Sequence, residues 1–163
     1  MNAVYPGTFD PFTNGHLDVA RRGANLFGSL TVAVAVGGGV KKPLFPTAAR
    51  VRMIRESVSD LKGVSVQSFS GTLVDYLNRS GCRVILRGLR TLSDYDYEVQ
   101  LALFNRQLDP EAETVFVVAS PEHAAVSSGL VKEVASMGRD ISSLVPGAVR
   151  RALEARFRRR RRK

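Results

Sequence analysis

Short apolar runs alternate with amphipathic segments from the first residues onward. Residues 3–5 form an apolar run closed by Pro6-Gly7. Over 15–27, Leu17, Ala20, Ala24 and Phe27 fall on one face at helical spacing, and Gly28 suits a C-terminal stop. Residues 30–36 are nearly all apolar and rich in valine, which predicts a strand buried on both faces. Gly37, Gly38 and Gly39 end it. Thr47 is placed to cap a helix whose apolar positions are Ala48, Val51, Ile54, Val58 and Leu61. Residues 64–69 alternate like a strand, and 72–80 predict a short helix stopped by Gly81. A buried strand follows at 84–86. Tyr97, Leu101, Phe104 and Leu108 mark a longer helix ended by Pro110. The remaining elements are a strand at 115–119, a helix at 127–137 with Gly138 behind it, and a last helix after Pro146.

Strand and helix therefore alternate through the chain. The fold class this predicts is α/β: a Rossmann-like, doubly wound sheet of five parallel strands with helices on both faces, then a C-terminal helix and a basic tail. One domain over residues 1–157 is expected, with a disordered tail at 158–163. In such a sheet ligands bind beyond the carboxyl ends of the strands. Functional residues are thus expected just after Tyr5, Val36, Phe69, Leu86 and Ala119.

The charge changes the picture less than its size suggests. Twenty-four Lys and Arg against 15 Asp and Glu give a net +9, which by itself points to a polyanionic partner. Yet residues 150–163 hold nine basic residues and one acidic residue, leaving 15 basic and 14 acidic before them. The body is almost neutral. The tail has the charge for a weak contact with nucleic acid or anionic lipid, but none is expected. Cys82 is the single cysteine, so an internal disulfide or a cysteine-based metal site lacks a second member. No apolar stretch is long enough to span a membrane, and no signal peptide opens the sequence. A cytoplasmic protein is expected.

The strand ends carry the candidate chemistry. After the first strand, Gly7 permits a tight turn, Thr8 offers a hydroxyl, and Gly15-His16 opens a helix whose free N–H groups favour an anion. Lys41 and Lys42 follow the second strand. Arg87-Gly88-Leu89-Arg90 follows the fourth, and two arginines flanking a glycine can fork toward phosphate oxygens. Ser127-Ser128-Gly129 opens the helix after the fifth. Each has a plain alternative as a cap, a turn or a solvated charge, but all are donors at one predicted edge. No Gly-x-x-x-x-Gly-Lys loop and no Ser/His/Asp or Cys/His order is present. The set suits charge stabilisation of a transferred phosphoryl-type group.

Thr13-Asn14-Gly15-His16 resembles the Thr/His-x-Gly-His signature of the nucleotidylyltransferase superfamily, and residues 126–133 resemble its second, serine-rich signature. Within it, residues 5–11, Lys41-Lys42-Pro43-Leu44-Phe45, Arg87-Gly88-Leu89-Arg90 and Asp94-Tyr95-Asp96-Tyr97-Glu98 with Asn105-Arg106 resemble bacterial phosphopantetheine adenylyltransferases, from about Ala3 to Leu153. Enzymes making NAD from nicotinamide mononucleotide, or activating a cytidine nucleotide, share Gly15-His16 and the serine run but are not expected to carry the other sets together.

The resemblance implies adenylyl transfer from ATP to 4′-phosphopantetheine, yielding dephospho-CoA and pyrophosphate with Mg²⁺, in coenzyme A synthesis by a homohexamer. The transfer would be in line, without a covalent enzyme intermediate. It implies that Thr8 positions the attacking phosphate, that His16 stabilises the α-phosphate, and that Lys41, or its neighbour Lys42, bridges the two. Arg87 would hold the pantetheine phosphate. Thr8, Phe9, Arg90, Tyr97, Glu98, Ser127 and Ser128 would join His16 around ATP, and Thr72, Leu73 and Asn105 would line the pantetheine arm. Metal ligands are not implied. Asp10 is open to a turn role or a metal contact. Gly129, His123 and Ala124-Ala125 depart from the family pattern.

Overall fold

The computed structural model describes residues 1–37 and 42–161. Its five strands are β1 (Asn2–Gly7), β2 (Ser29–Ala35), β3 (Val64–Phe69), β4 (Val84–Leu89) and β5 (Glu113–Val118). Its helices are α1 (Asn14–Phe27), α2 (Thr47–Ser57), α3 (Leu73–Ser80), α4 (Leu92–Leu108), α5 (Ser128–Ser136) and α6 (Gly147–Arg161), with a 3₁₀ turn at Pro121–His123. All strand pairs are parallel, in the order β3-β2-β1-β4-β5.

Strand residues alternate between two apolar layers. Ala3, Tyr5, Val32, Val34 and Leu86 join the larger core with α1, α2, α5 and α6. Val4, Ala33, Phe69 and Ile85 face the other way, toward Tyr76, Leu77 and the buried Cys82. β1 pairs with β2 on one side and β4 on the other, so the chain winds outward twice from its middle strand. That reversal makes a crevice at the carboxyl ends of β1 and β4.

Three features differ from the sequence expectation. Thr47 does not cap α2: Pro46 does, without a side-chain bond, and the helix stops at Ser57 rather than near 61. Of the expected apolar positions, Ile54 and Val58 are buried and Val51 and Leu61 pack against the same core, while Ala48 is exposed; Arg50 and Met53 are buried beside them. Helix α6 continues through Arg161, past position 157 where the domain was expected to end. Its last deeply buried side chain is Phe157.

Candidate active site

Helix α1 begins with a reciprocal cap that fixes His16. Thr13 Oγ1 accepts from the His16 backbone N–H at 3.3 Å, and the Thr13 backbone N–H donates to His16 Nδ1 at 2.9 Å. A nitrogen that accepts from an amide carries a lone pair, so the ring proton sits on Nε2. The ring stacks on Phe12, centroids 5.5 Å apart, and meets Phe9 edge-on at 5.2 Å. Phe9 reaches this place through a left-handed backbone, φ 49°, unusual for a bulky residue. Its ring then folds over Gly7, where a Cβ would stand 2.8 Å from it. Burial, with the positive charges of Arg90 and Arg87, lowers the His16 pKa to about 3. His16 is therefore a neutral, oriented N–H donor.

The end of β4 supplies the two cations. Arg87 donates from Nε to Glu98 Oε2 at 2.6 Å, from Nη2 to Glu98 Oε1, and from Nη1 to the Pro6 carbonyl at 2.7 Å. Burial works against its charge, but Glu98 outweighs this and raises its pKa. Three of its five N–H groups are engaged. Arg90 grips Asp94 with Nε and Nη2, at 2.9 and 3.1 Å, and donates from Nη1 to the Val126 carbonyl at 3.0 Å. Arg90 thereby joins the end of β4 to the residue before the serine pair. Ser127 caps α5 by accepting from the Leu130 N–H at 3.1 Å, leaving its own proton to donate. Ser128 donates to the Pro11 carbonyl at 2.8 Å, so its hydroxyl is left as an acceptor.

Two connected chambers result. One, of about 320 Å³, is lined by Thr8, Phe9, His16, Arg87, Arg90, Glu98, Ser127 and Ser128, with Tyr5 and His123. The other, of about 390 Å³, is lined by Leu73, Tyr97, Leu101 and Asn105 together with Thr8, Arg87 and Glu98. Thr8, Arg87 and Glu98 stand in both walls. Tyr97 belongs to the second chamber and not to the first, and Glu98 faces Arg87. Thr72 lines neither; its hydroxyl caps α3 by accepting from the Asp75 N–H at 3.1 Å. Lys41 lies outside the described residues. Lys42 is described and exposed.

One of the residues beneath the site was not singled out by sequence reasoning, and another was left undecided. Arg50 is 1% exposed and sits beneath the Thr8 turn, where it donates to the carbonyls of Thr8, Ala35 and Phe45. Asp10, 6% exposed, accepts from the Leu44 and Phe45 N–H groups at 2.8 and 3.0 Å and from Lys132 Nζ at 2.9 Å. Its carboxylate is committed to holding backbone and Lys132. The available signal for Arg50 was its place four residues before Ile54, on the face that the apolar spacing already marked as buried.

The sequence profile of the Cytidylyltransferase-like family matches residues 4–134. Among curated relatives, the phosphopantetheine adenylyltransferase of Heliobacterium modesticaldum is 51% identical over 90% of this chain and 87% of its own length. Those of Alkalilimnicola ehrlichii and Geotalea daltonii are 49% and 47% identical, over 95% and 96% of this chain and 90% and 97% of theirs. The chain belongs to the cytidylyltransferase-like family, and within it to the phosphopantetheine adenylyltransferases.

Proposed function

We propose that this chain transfers the adenylyl group of ATP to 4′-phosphopantetheine, giving dephospho-CoA and pyrophosphate, a step of coenzyme A synthesis. The observation that carries this is the pair of chambers meeting at Thr8, Arg87 and Glu98. A reaction between two polyanions needs two sites and a shared wall where the reacting groups touch. The first chamber holds the triphosphate against His16, Arg90 and Ser127. The second has an apolar wall with Asn105 and takes the pantetheine arm. The acceptor phosphate then lies at Thr8 and Arg87. One of its oxygens attacks the α-phosphorus in line; the new P–O bond forms as the bond to the β-phosphate oxygen breaks, and pyrophosphate leaves with that electron pair. The acceptor is already anionic near neutral pH, so no general base is required. His16 Nε2–H and the arginines supply what the step lacks, donors fixed where negative charge grows.

Magnesium enters as part of the ATP substrate. Asp10, Asp94 and Glu98 are already engaged by cations and amides, so the triphosphate oxygens are its natural ligands. The cell setting is the cytoplasm. No helix among the described residues is long and apolar enough to cross a membrane. The chain works as a homohexamer, and the apolar side chains that α4 and β5 leave exposed support self-association. The deciding measurement is pyrophosphate release from ATP with 4′-phosphopantetheine as acceptor, with nicotinamide mononucleotide as control. Release with the first alone is expected; release with the control alone overturns the reading.

A further inference from the structure

We propose that Arg50 is a positioning residue for the acceptor half of the reaction, acting with Asp10 to hold the Thr8 turn and the Lys42-bearing segment in one fixed relation. The inference rests on the function proposed above.

Arg50 is the largest fully buried side chain among the described residues. Its direct partners are four neutral oxygens: the carbonyls of Thr8, of Ala35 at 3.1 Å and of Phe45 at 3.1 Å, and Thr47 Oγ1 at 2.9 Å. These belong to the turn after β1, the end of β2, the segment before α2, and α2 itself. One planar guanidinium thus ties three chain segments to the helix at fixed angles. Burying a charge this way is a poor source of stability, since an apolar side chain of similar volume often does as well. What the guanidinium adds is geometry.

Asp10 completes the arrangement from the other side. It takes the N–H groups of Leu44 and Phe45, while Arg50 takes the Phe45 carbonyl. The Leu44–Phe45 backbone, two residues from Lys42, is therefore fastened to the turn that carries Thr8. Lys132 on α5 holds Asp10 in place. The ATP-side groups are fixed by different partners: His16 by Thr13, Arg90 by Asp94 and Val126. A defect at Arg50 should therefore fall more on the acceptor than on ATP, which meets the same turn only at Thr8.

The test is steady-state kinetics with each substrate varied, on wild type, Arg50→Met, Arg50→Lys and Thr47→Val. Arg50→Met is expected to lower kcat about 10²-fold, the scale of a small misplacement of reacting groups. The KM for 4′-phosphopantetheine should rise several-fold more than the KM for ATP. Arg50→Lys keeps the charge but not the fork and should recover only a minor part. Thr47→Val removes one of the four bonds and should shift the same two parameters less. It decides the matter if Arg50→Met does not fold. Equal losses toward both substrates, full activity in Arg50→Lys, or unaltered acceptor kinetics in Thr47→Val would each overturn the proposal. Wild type that releases no pyrophosphate would instead overturn the function on which it rests.

Discussion

His16 is held so that only one of its nitrogens can act. The amide of Thr13 occupies Nδ1, which leaves the Nε2 proton facing the chamber. Its bond to phosphate should strengthen as charge builds on the α-phosphate. His16→Ala is expected to lower kcat about 10²–10³-fold with little change in the KM for ATP; equal losses in both would remove the role. The pH behaviour follows from the same burial. An unfolded imidazole titrates near 6.5 and the folded one near 3. Between those values the unfolded chain holds the extra proton, so stability falls as pH drops through that window. The slope from this one group is at most about 1.4 kcal/mol per pH unit, and less because the ring is partly open to the chamber. Thermal unfolding of wild type and His16→Asn from pH 7 to pH 5 checks this: wild type should lose more. The identity of the donor was legible, because Gly15-His16 follows a strand and opens a helix. Its tautomer was not, because that depends on where the Thr13 amide points.

Helices set the cations as much as the strands that end in them. Asp94 and Glu98 stand one turn apart on α4, and each grips the arginine at one end of Arg87-Gly88-Leu89-Arg90. Glu98→Gln leaves Arg87 with one acceptor oxygen and an opposing amide. The KM for 4′-phosphopantetheine should rise about tenfold, close to 1.4 kcal/mol. An unchanged value in binding or kinetic assays would show that Arg87 needs no such partner. The resemblance placed Glu98 near ATP; it stands in the wall of both chambers, and its carboxylate is bonded to Arg87. Element boundaries were mostly legible from periodicity, and β3 at 64–69 needed no adjustment. The burial of Arg50 on α2 was not legible, because a buried arginine looks like a surface residue until its partners are known. α4 formed where the spacing marked a helix, but with its apolar positions uncovered. Tyr97, Phe104 and Leu108 have the spacing of a core face, yet they are 62%, 56% and 49% exposed. Periodicity shows that a face is apolar, not what covers it.

The exposed side chains of α4 continue onto β5, the edge strand, where Val118 is also exposed. An apolar face of this kind beside an open strand edge marks a contact surface. Leu103→Lys should shift the species seen by sedimentation toward the single chain, and an unchanged distribution would remove α4 from the interface. The charge has a different bearing at this scale. Eight of the net nine positive charges lie over residues 150–163, while near the chambers Arg87, Arg90 and Arg50 are each matched with carboxylates or carbonyls. The sequence by itself determined the order of strands and helices along the chain, the sheet edge at which the chambers open, and most of the donors that line them. Those follow from local periodicity and from residues adjacent to strand ends. Only the tertiary structure decided which donors are free and which are spent, that Arg50 and Asp10 lie beneath the acceptor side, and that two chambers share one wall. Those depend on contacts between segments far apart in the chain, which no local pattern encodes.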